Sequence, residues 1–517
     1  MSKTNQTLTK PKRKAPSVLA AAVCAVWMLF GFLCFFSAKW YVDIYGRTGF
    51  DSIIYTLTTS LDGVQSDLVC SYLRQGLPPS LLCSAAAGFF LFFPWKKKLR
   101  CRSRKGRDVQ LYPFHRAVSA VLAVVLGLLL TGYAAVNVEI PAYIQDLMTH
   151  TALFEDRYVD PNSVSISFPE EKRNLIYIYL ESMETTYLSE EQGGAEEECL
   201  IPELYALAGS NINFSDNDGV GGFLPITGST WTIAAMVSQT SGIPLKLPPG
   251  VAENDYGQGS AFLPGVTSLM DILDENGYYQ SLMVGSVSSF GGRRQYYTQH
   301  GADKIYDLST ARSDGIIEPD YFEWWGYEDK YLFEYAKQEL TEIASQDQPF
   351  AFTMLTVDTH HIGGYLCEYC GDTYGEQYEN VIACSSKQVA AFVEWIQQQD
   401  FYENTTVIVT GDHRSMDNGY FSRNVDEDYT RRIYNCFINT ASDPAETKNR
   451  VFTTVDMFPT TLAAMGCTIE GDRLGLGTNL FSGVPTLAEE MGYEEFNQEV
   501  SKKSDFYSTN FLRIQPE

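Results

Sequence analysis

The feature that most constrains this chain is a run of 24 residues without a single charged side chain. It extends over 15–38 and reads APSVLAAAVCAVWMLFGFLCFFSA. A helix of about 20 predominantly apolar residues crosses a bilayer, so the run predicts a transmembrane helix. A cleaved signal peptide is the alternative. The run is longer than the usual apolar region of about 7–15 residues in such peptides, and no clear A-x-A cleavage site follows it.

Two further uncharged stretches predict additional spans. One ends in SLLCSAAAGFFLFFPW and predicts a span over 76–95, whose helical part is shortened by Pro78 and Pro79. The other contains AVLAVVLGLLL and predicts a span over 117–137. Residues 1–137 are therefore predicted to form a membrane anchor with about three transmembrane helices.

Basic residues predict the orientation of this anchor, because cytoplasmic loops carry an excess of Lys and Arg. The two basic clusters are Lys3, Lys10, Lys12, Arg13 and Lys14 before the first span, and Lys96, Lys97, Lys98, Arg100, Arg102, Arg104, Lys105 and Arg107 after the second. Both are expected in the cytoplasm, with an even number of crossings between them. The chain is then expected to emerge on the extracytoplasmic side after the third span and to stay there.

The net charge divides at the same place. The whole chain carries −26, but residues 1–137 contain 17 basic and 5 acidic side chains, a net of +12. The remaining 380 residues contain 21 basic and 59 acidic side chains, a net of −38. With 45% hydrophobic and 13% aromatic residues, the chain is not a disordered acidic protein. Its acidic surface also argues against a nucleic-acid partner, since a phosphate backbone would repel it.

Three apolar runs beyond the anchor predict strands of one sheet. They read NLIYIYLES (174–182), FAFTMLTVDTH (350–360) and TTVIVTGDH (405–413). Continuous apolar runs are typical of strands buried on both faces of an α/β sheet, and helical stretches such as 385–399 intervene. Open α/β sheets place their sites beyond the carboxyl ends of the strands, so the polar tails of these runs should converge.

The remaining segments complete the predicted organisation. SIIYTLTTSL at 52–61 is too short to cross a membrane and is either a re-entrant or interfacial piece or a packed loop segment. Residues 138–165 are predicted to connect the anchor to a catalytic domain over 166–490, and 491–517 to form a C-terminal tail.

Several residues near these strand ends carry catalytic chemistry. They are Glu181; Ser229, Thr230 and Thr232 in GSTWTIAAMVSQTSGIPL; Arg293 and Arg294 in SFGGRRQYY; His360 and His361 in DTHH; and Asp412 and His413 in VTGDH. Glu, Asp and His together suit one divalent metal ion, with Mn preferred and Mg or Zn as alternatives. A hydroxyl placed on that metal becomes a nucleophile, while Arg grips a phosphate and His protonates what leaves.

Each of these residues alone has a structural alternative. A carboxylate at a strand end is commonly a cap or a salt-bridge partner, Thr230 an N-cap, and Arg293 a surface charge. The outer region has only five histidines, and three of them lie at the tails of predicted strands. That coincidence favours a site for displacement at phosphorus through a covalent phospho-threonine.

The ordered motifs resemble the sulfatase-like branch of the alkaline phosphatase superfamily. The resemblance covers about 170–485 and includes ESMETTYLS, the GSTWTIAAMVSQTSGIPL block, DTHH, GDH and RLGLGTNLFSG. Within that branch the chain is similar to lipoteichoic acid synthases and, more closely, to membrane phosphoglycerol transferases that decorate periplasmic glucans. The implied fold is α/β: N-terminal transmembrane helices, followed by an alkaline-phosphatase/sulfatase-like domain with a central, mostly parallel sheet flanked by helices.

The resemblance also implies roles for individual residues. Glu181, Thr230, Asp412 and His413 match the metal ligands of the family, and Thr230 also matches its nucleophile. Arg293 and His360 match its contacts to the substrate phosphate. Lipoteichoic acid synthases have a tryptophan two residues before that arginine, where this chain has Gly291, so the glycerol pocket is expected to differ.

A true sulfatase is disfavoured. Its formylglycine forms from Cys or Ser in a C/S-x-P-x-R context, whereas Thr230 is followed by Trp-Thr-Ile-Ala. The expected enzyme is instead a metal-dependent phosphoglycerol transferase of the cell membrane. Its expected donor is an anionic phospholipid such as phosphatidylglycerol, and its acceptor a glycan or a glycerophosphate polymer. The alternatives are a phosphoethanolamine transferase or another phosphoester-cleaving enzyme of the superfamily, and a non-catalytic membrane sensor or scaffold.

Six of the eleven cysteines lie in the outer region: Cys199, Cys367, Cys370, Cys384, Cys436 and Cys467. The pair Cys367 and Cys370, separated by two residues, suggests zinc or redox chemistry. No second such pair and no His pair completes a zinc site nearby. Structural disulfides are therefore favoured, one of them joining this pair to Cys384, with free thiols as the alternative.

Overall fold

The structure is a computed structural model that describes residues 15–58, 66–93, 96–102, 108–112, 114, 116–246 and 261–513. It divides into two compact units, residues 1–43 with 66–141 and residues 44–65 with 142–517. The basic residues of the N-terminus, and 103–107 of the basic loop, lie outside the described ranges. The orientation that was argued from them stays a prediction.

The described residues form the following helices: α1 (Ala15–Tyr45), α2 (Phe50–Thr58), α3 (Ser66–Gln75), α4 (Leu77–Phe92), α5 (Arg116–Asn137), α6 (Ile140–Met148), α7 (Leu153–Arg157), α8 (Pro202–Ser210), α9 (Thr232–Ser241), α10 (Leu269–Glu275), α11 (Arg293–Gln299), α12 (Leu308–Ser313), α13 (Asp329–Ile343), α14 (Gln377–Gln397), α15 (Asn418–Asn424), α16 (Met457–Ala464), α17 (Leu487–Met491), α18 (Tyr493–Ser501) and α19 (Asp505–Asn510). Their strands are β1 (Leu99–Arg102), β2 (Asp108–Tyr112), β3 (Ile166–Ser167), β4 (Asn174–Leu180), β5 (Gly222–Phe223), β6 (Tyr279–Val284), β7 (Lys304–Tyr306), β8 (Phe350–Leu355), β9 (Thr405–Gly411), β10 (Ile433–Ile438), β11 (Thr468–Ile469), β12 (Arg473–Leu474) and β13 (Gly477–Thr478).

Among the described residues, three helical stretches that lie wholly or mostly in the first unit are long and apolar enough to cross a membrane. They are Leu19–Tyr45, Leu68–Phe92 and Arg116–Asn137. The second stretch begins earlier than the predicted 76–95, because α3 precedes α4. Two prolines lie in the first turn of α4, where a missing N–H removes no intrahelical hydrogen bond.

A close helix–helix approach in this unit depends on glycine. A Cβ on Gly31 of α1 would lie 3.1 Å from the Cα of Gly127 of α5. The indole Nε1 of Trp27 donates a hydrogen bond to the Val124 carbonyl at 3.2 Å. A Cβ on Gly127 would lie only 2.1 Å from that Nε1. The contact therefore requires a residue without a side chain at 127.

The second unit is built on a seven-stranded sheet in the order β5-β10-β9-β4-β8-β6-β7. β9, β4, β8, β6 and β7 run parallel, whereas β10 is antiparallel to β9, and β5 to β10. The three strands predicted from their apolar runs are β4, β8 and β9, and they are adjacent. The predicted α/β class with a central, mostly parallel sheet is confirmed.

Alternating side chains of β4 enter two separate hydrophobic cores. Leu175, Tyr177 and Tyr179 lie in the core that contains α9, α10 and α16. Ile176 and Ile178 lie in the core that contains α8, α13 and α14. Burial on both faces explains why this strand has a continuous apolar run.

This unit also includes segments that the sequence left outside the catalytic domain. Tyr55 of α2 is 3% exposed and belongs to the first of these cores, so the described part of 52–61 is a packed segment. Phe154 of the predicted connector and Tyr507 of the predicted tail are buried in the same core, and their rings are 5.5 Å apart. In the described residues, this compact unit thus combines 44–58 with the chain from 142 to 513.

The structure contradicts the prediction of disulfides. All eleven cysteines lie in the described ranges, and each is a free thiol. Cys367 and Cys384 do lie together, but their sulfurs are 3.7 Å apart, whereas a disulfide bond is about 2.05 Å long.

We expect Gly127→Val to loosen the anchor by about 1–3 kcal/mol, because the new side chain overlaps the Trp27 ring. The measurement is the rate at which a thiol reagent modifies Cys24, which is buried in the core of this unit. That rate should rise by about 5- to 150-fold in detergent solution. Gly132→Val on the same helix is the control, because nothing lies within 4 Å of its Cβ position. Equal labelling rates in the two variants would contradict this account.

Candidate active site

The carboxyl ends of β4 and β9 bring three metal-competent side chains together. Glu181 directly follows β4, and Asp412 and His413 directly follow its parallel neighbour β9. One ligand atom from each lies within 4.8 Å of the others, and all three residues are buried. His413 Nε2 lies 3.3 Å from Asp412 Oδ2 and 3.6 Å from Glu181 Oε1. Three of the four predicted metal ligands thus share one site, and their role as ligands stays a prediction.

The hydrogen bonds around Asp412 fit a bound cation. Its Oδ1 accepts hydrogen bonds from the backbone N–H groups of Ser182, at 2.8 Å, and His413, at 2.7 Å. Its Oδ2 is buried and accepts no hydrogen bond from the described residues. A buried carboxylate oxygen without a donor is costly, and a divalent ion would satisfy it. The donor set of two carboxylates and one imidazole also suits such an ion.

The tautomer of His413 fits the same interpretation. Its Nδ1 lies 2.7 Å from the Arg414 carbonyl oxygen, which only accepts, so Nδ1 carries the proton. Nε2 is then free to act as an acceptor or ligand where it faces Glu181 and Asp412. Metal-binding histidines are commonly oriented by such a bond from the other ring nitrogen.

Burial and mutual charge shift the pKa values of the cluster. Burial, and then the negative charge of Glu181, raise the pKa of Asp412 to about 7. Burial also opposes ionisation of Glu181, but the charges of His360 and His413 in their protonated forms, the Ser182 hydrogen bond and the charge of Arg293 together outweigh it and lower the pKa of that carboxyl. The pKa of His413 is raised, because Asp412 and Glu181 outweigh the effect of its burial. The two carboxylates therefore do not ionise equally easily, as expected for like charges in a buried site.

Thr232 brings a hydroxyl group to this cluster. Its Oγ1 lies 3.4 Å from Glu181 Oε2 and 3.3 Å from His413 Nε2. Thr230, the predicted nucleophile, makes no hydrogen bond to the cluster in the described part of the chain. The hydroxyl of Ser229, the third candidate, donates instead to the Ile226 carbonyl at 2.8 Å. The hydroxyl at the metal-competent cluster is thus two residues beyond the one predicted.

Helix α9 holds Thr232 in place. Thr232 is its first residue, and Trp231 is its N-cap. The amide of Gln239, farther along α9, donates to the carbonyls of Gly411 at 3.1 Å and Asp412 at 3.3 Å. Gln239 Oε1 accepts a hydrogen bond from the Tyr177 hydroxyl at 2.8 Å. The first turn of a helix favours negative charge, which suits an ionised hydroxyl at this position.

Arg293 supplies a buried positive charge beside the cluster. Its Nη2 donates to Ser286 Oγ at 3.0 Å and to the Val287 carbonyl at 2.9 Å, and its Nε donates to the Phe290 carbonyl at 3.1 Å. Its Nη1 makes no hydrogen bond to the described residues. Burial lowers the pKa of Arg293 to about 10, so it remains cationic at neutral pH. The adjacent Arg294 is instead paired with Asp307 at 2.9 Å.

His360 lies in an aromatic environment near the start of the loop after β8. Its ring is 4.2 Å from that of Trp325 and 4.4 Å from that of His361. Its Nδ1 donates to the His361 carbonyl at 2.8 Å, so Nε2 is unprotonated in the neutral ring. Burial lowers the pKa of His360 despite the charge of Glu181. His361 packs against the ring of Tyr45, with the ring centres 5.1 Å apart.

The Tyr55 side chain contacts Gly291, where the resemblance leads one to expect a tryptophan. The Tyr55 hydroxyl donates to the Gly291 carbonyl at 2.6 Å, and its ring is 5.4 Å from that of Trp231. Gly291 has a φ of 64°, a left-handed conformation that favours glycine. The chain therefore builds the wall beside Arg293 from residues that are distant in sequence.

Sequence reasoning missed the placement of Thr232 and the contributions of Tyr55 and Trp325. The motif offers hydroxyls at 229, 230 and 232, and which one faces the cluster depends on where α9 begins. The signal that could have identified the right hydroxyl is the start of the helix at Thr232. Nothing in the local sequence of Tyr55 indicates that it packs beside Arg293.

A comparison with models of known protein families assigns the chain to a family. A family model described as Sulfatase matches residues 173–467, more than half of the chain. The chain belongs to the sulfatase family, of the alkaline phosphatase superfamily, as its motifs predicted.

The chain is similar to individual curated proteins and to solved structures. The chain is 30% identical to Phosphoglycerol transferase I of Escherichia coli O127:H6 (strain E2348/69 / EPEC) over 446 residues, which cover 84% of this chain and 53% of the relative. It is 30% identical to Phosphoglycerol transferase I of Shigella flexneri over 448 residues, with the same coverage. The chain spans about half the length of these curated relatives. The structure of the lipoteichoic acid synthase LtaP from Listeria monocytogenes aligns with a TM-score of 0.48 and 19% identity, over 62% of this chain and 79% of that one.

We expect metal affinity at this site to fall as the pH drops below about 7. Asp412 must lose a proton to bind a cation, and its pKa is raised to about 7. Apparent Mn²⁺ affinity should therefore fall by up to about tenfold per pH unit below that value. Calorimetric titration in buffers of different ionisation enthalpy should detect the proton released on binding.

A matched control is Glu196→Gln. Burial raises the pKa of Glu196 to about 7 as well, but its carboxylate lies outside the cluster and accepts a hydrogen bond from Tyr420 at 2.7 Å. This variant should release the same proton on metal binding, whereas Asp412→Asn should lose the metal. Affinity that does not change between about pH 8 and about pH 6 would contradict the assignment.

Proposed function

We propose that the protein is a metal-dependent phosphoglycerol transferase anchored in the cell membrane. In this proposal it moves a glycerophosphate group from an anionic phospholipid, such as phosphatidylglycerol, to a hydroxyl of a glycan or a glycerophosphate polymer. The observation that carries the proposal is the Thr232 hydroxyl, which lies within hydrogen-bonding distance of both Glu181 and His413. The names of the curated relatives support the glycerol headgroup.

We assign Glu181, Asp412 and His413 as the protein ligands of one divalent ion, with manganese preferred over magnesium or zinc. When bound, such an ion lowers the pKa of a nearby hydroxyl and neutralises charge on phosphorus. The Oδ2 of Asp412, which accepts no hydrogen bond from the described residues, and the Nε2 of His413, which is available as a ligand in the neutral ring, support this assignment.

The first proposed step forms a bond between Thr232 Oγ1 and the donor phosphorus. The Thr232 proton passes to Glu181 Oε2, the carboxylate oxygen that its hydroxyl already faces. The bond from phosphorus to the diacylglycerol oxygen breaks, and His360 protonates that oxygen. Burial keeps His360 neutral in the free protein, but an anionic phosphate beside the ring favours its protonated form.

The second proposed step reverses these roles. An acceptor hydroxyl forms a new bond to phosphorus and gives its proton to the now neutral His360. The bond from phosphorus to Thr232 breaks, and the threonine recovers its proton from Glu181. Through both steps the cationic Arg293, with Nη1 free of protein partners in the described residues, holds the phosphate oxygens.

The anchor suits a lipid donor. Three helices are long and apolar enough to span a bilayer, and they would keep the catalytic unit near the headgroup plane. The division between a basic N-terminal region and an acidic remainder supports an extracytoplasmic catalytic unit. With few basic residues in that unit, Arg293 and a divalent ion are the main attractions for an anionic headgroup.

We expect Thr232→Val to abolish transfer, while Thr230→Val remains active. Both substitutions remove one hydroxyl and keep the branched shape, but only Thr232 contacts the cluster. The rate of diacylglycerol release from phosphatidylglycerol should fall by about 10³-fold or more in the first variant. Thermal unfolding should show that both variants are folded. Loss of activity in the Thr230 variant alone would identify Thr230 as the nucleophile, and full activity in both would refute the phospho-threonine mechanism.

Donor choice is tested with labelled lipids in mixed vesicles. We expect the wild-type protein with Mn²⁺ to release diacylglycerol from phosphatidylglycerol, whereas phosphatidylethanolamine stays intact. The reverse result would make the protein a phosphoethanolamine transferase with the same threonine chemistry. Release from neither lipid, together with no metal binding, would favour the non-catalytic sensor or scaffold.

A further inference from the structure

Three cysteines gather at a second place in the catalytic unit. Cys367 and Cys370 lie in the loop between β8 and α14 that also carries His360, and Cys384 lies on α14. The Cys367 sulfur is 3.7 Å from the sulfurs of both Cys370 and Cys384, and all three sulfurs lie within 4.8 Å of one another. None of these residues takes part in the proposed transfer reaction.

These separations match thiolates that share a metal ion. Two sulfurs that are each about 2.3 Å from a tetrahedral zinc ion are about 3.8 Å apart. A disulfide would require two of the three sulfurs to lie about 2.05 Å apart, and the third sulfur would then remain a thiol. Here one sulfur instead has two equal neighbours, as expected when three ligands surround a common point.

A side-chain amide donates hydrogen bonds to the sulfur cluster. The side-chain amide of Gln388, one helical turn after Cys384, donates to the Cys384 sulfur at 3.4 Å and lies 3.9 Å from that of Cys367. The turn is closed by the Cys370 N–H, which donates to the Cys367 carbonyl at 3.1 Å. Hydrogen bonds from the other two thiols lower the pKa of Cys367, whereas the same contacts raise the pKa values of Cys370 and Cys384, so without a metal ion Cys367 is the thiol that ionises first.

The cluster has a route to solvent. Cys367 and Cys370 line a cavity of about 370 Å³, together with Asp372, Glu376 and Asn380. Cys367 and Cys384 are buried, with 6% and 4% of their surfaces exposed. Metal and water therefore reach the sulfurs from one side, while the protein encloses the other.

We propose that Cys367, Cys370 and Cys384 bind a zinc ion through three thiolates, with water from the cavity as the fourth ligand. This site is separate from the cluster of Glu181, Asp412 and His413, and it differs in chemistry, since sulfur ligands select softer metals than carboxylates do. On binding, the three thiols release their protons to solvent.

Such an ion would tie the loop that carries His360 to α14. The loop already depends on that helix: the amide of Gln377 donates to the carbonyls of Gly363 at 3.1 Å and Gly364 at 2.8 Å. The Tyr378 hydroxyl donates to the Thr359 carbonyl at 3.2 Å. The zinc would fix the far end of the same loop, so it acts as a structural ion that positions the loop.

The test uses the full-length protein in detergent, purified without reductant or chelator. We expect one zinc ion per chain to survive dialysis. Reconstitution with Co²⁺ should give a thiolate-to-cobalt charge-transfer band, which the oxygen and nitrogen ligands of the first site do not produce. After denaturation with chelator but no reductant, peptide mapping should find all three cysteines alkylated. A disulfide between any two of them, or the absence of both zinc and the cobalt band, would overturn the proposal.

Variants separate ligands from neighbours. The Cys384→Ser variant should lose the cobalt band. Cys199 is a partly buried cysteine outside the cluster, and the Cys199→Ser variant should keep the band. Gln388→Ala removes only the hydrogen bond to sulfur and should weaken metal affinity by about 10- to 100-fold. If Cys384→Ser does not fold, the Gln388 variant and the wild-type measurements still decide. An unchanged band in a folded Cys384 variant would refute the site.

Discussion

The parallel pairing of β9, β4 and β8 is the constraint on which the site depends. Adjacent parallel strands end at the same edge of the sheet, so the residues that follow them must meet there. Glu181 continues β4, Asp412 and His413 continue β9, and the loop after β8 carries His360. Each strand is buried on both faces, and the two cores hold this register. A change of register would separate the ligand atoms, which is why the site requires the whole sheet.

Bringing these side chains together has an electrostatic cost. Two carboxylates buried side by side repel one another in a medium of low dielectric constant, and neither has enough hydrogen bonds to offset full burial. Ser182 offsets part of this repulsion. The Ser182 N–H donates to Asp412, and the Ser182 hydroxyl donates to Glu181 at 2.8 Å. A proton on Asp412 or a bound divalent ion relieves the rest. The free-energy cost of burying the two carboxylates together would thus favour the binding of a divalent ion.

Much of this arrangement could be predicted from the sequence, because strand pattern and strand end carry strong signals. The three buried strands were identified from continuous apolar runs, and Glu181, Asp412 and His413 from their positions at the ends of those runs. The sequence pointed to Thr230, whereas the structure places the Thr232 hydroxyl at the cluster, because the residue that faces it depends on where α9 begins. Tyr55 lies more than 200 residues from Gly291, and no local pattern connects them.

The cysteines illustrate a different limit. Sequence reasoning found Cys367, Cys370 and their proximity to Cys384, but spacing alone does not distinguish a disulfide from a metal site. That distinction depends on sulfur separations, which only tertiary structure supplies. The same limit applies to function: motifs identify the family, but they do not reveal contacts between distant segments, such as that of Tyr55 with Gly291 beside Arg293.

The most direct test of the account is mass spectrometry of the metal-loaded protein after brief exposure to phosphatidylglycerol without an acceptor. The account predicts a glycerophosphate adduct on the peptide that contains the start of α9, with fragmentation placing it on Thr232. An adduct on Thr230, or turnover of the lipid with no covalent adduct at any time point, would contradict it.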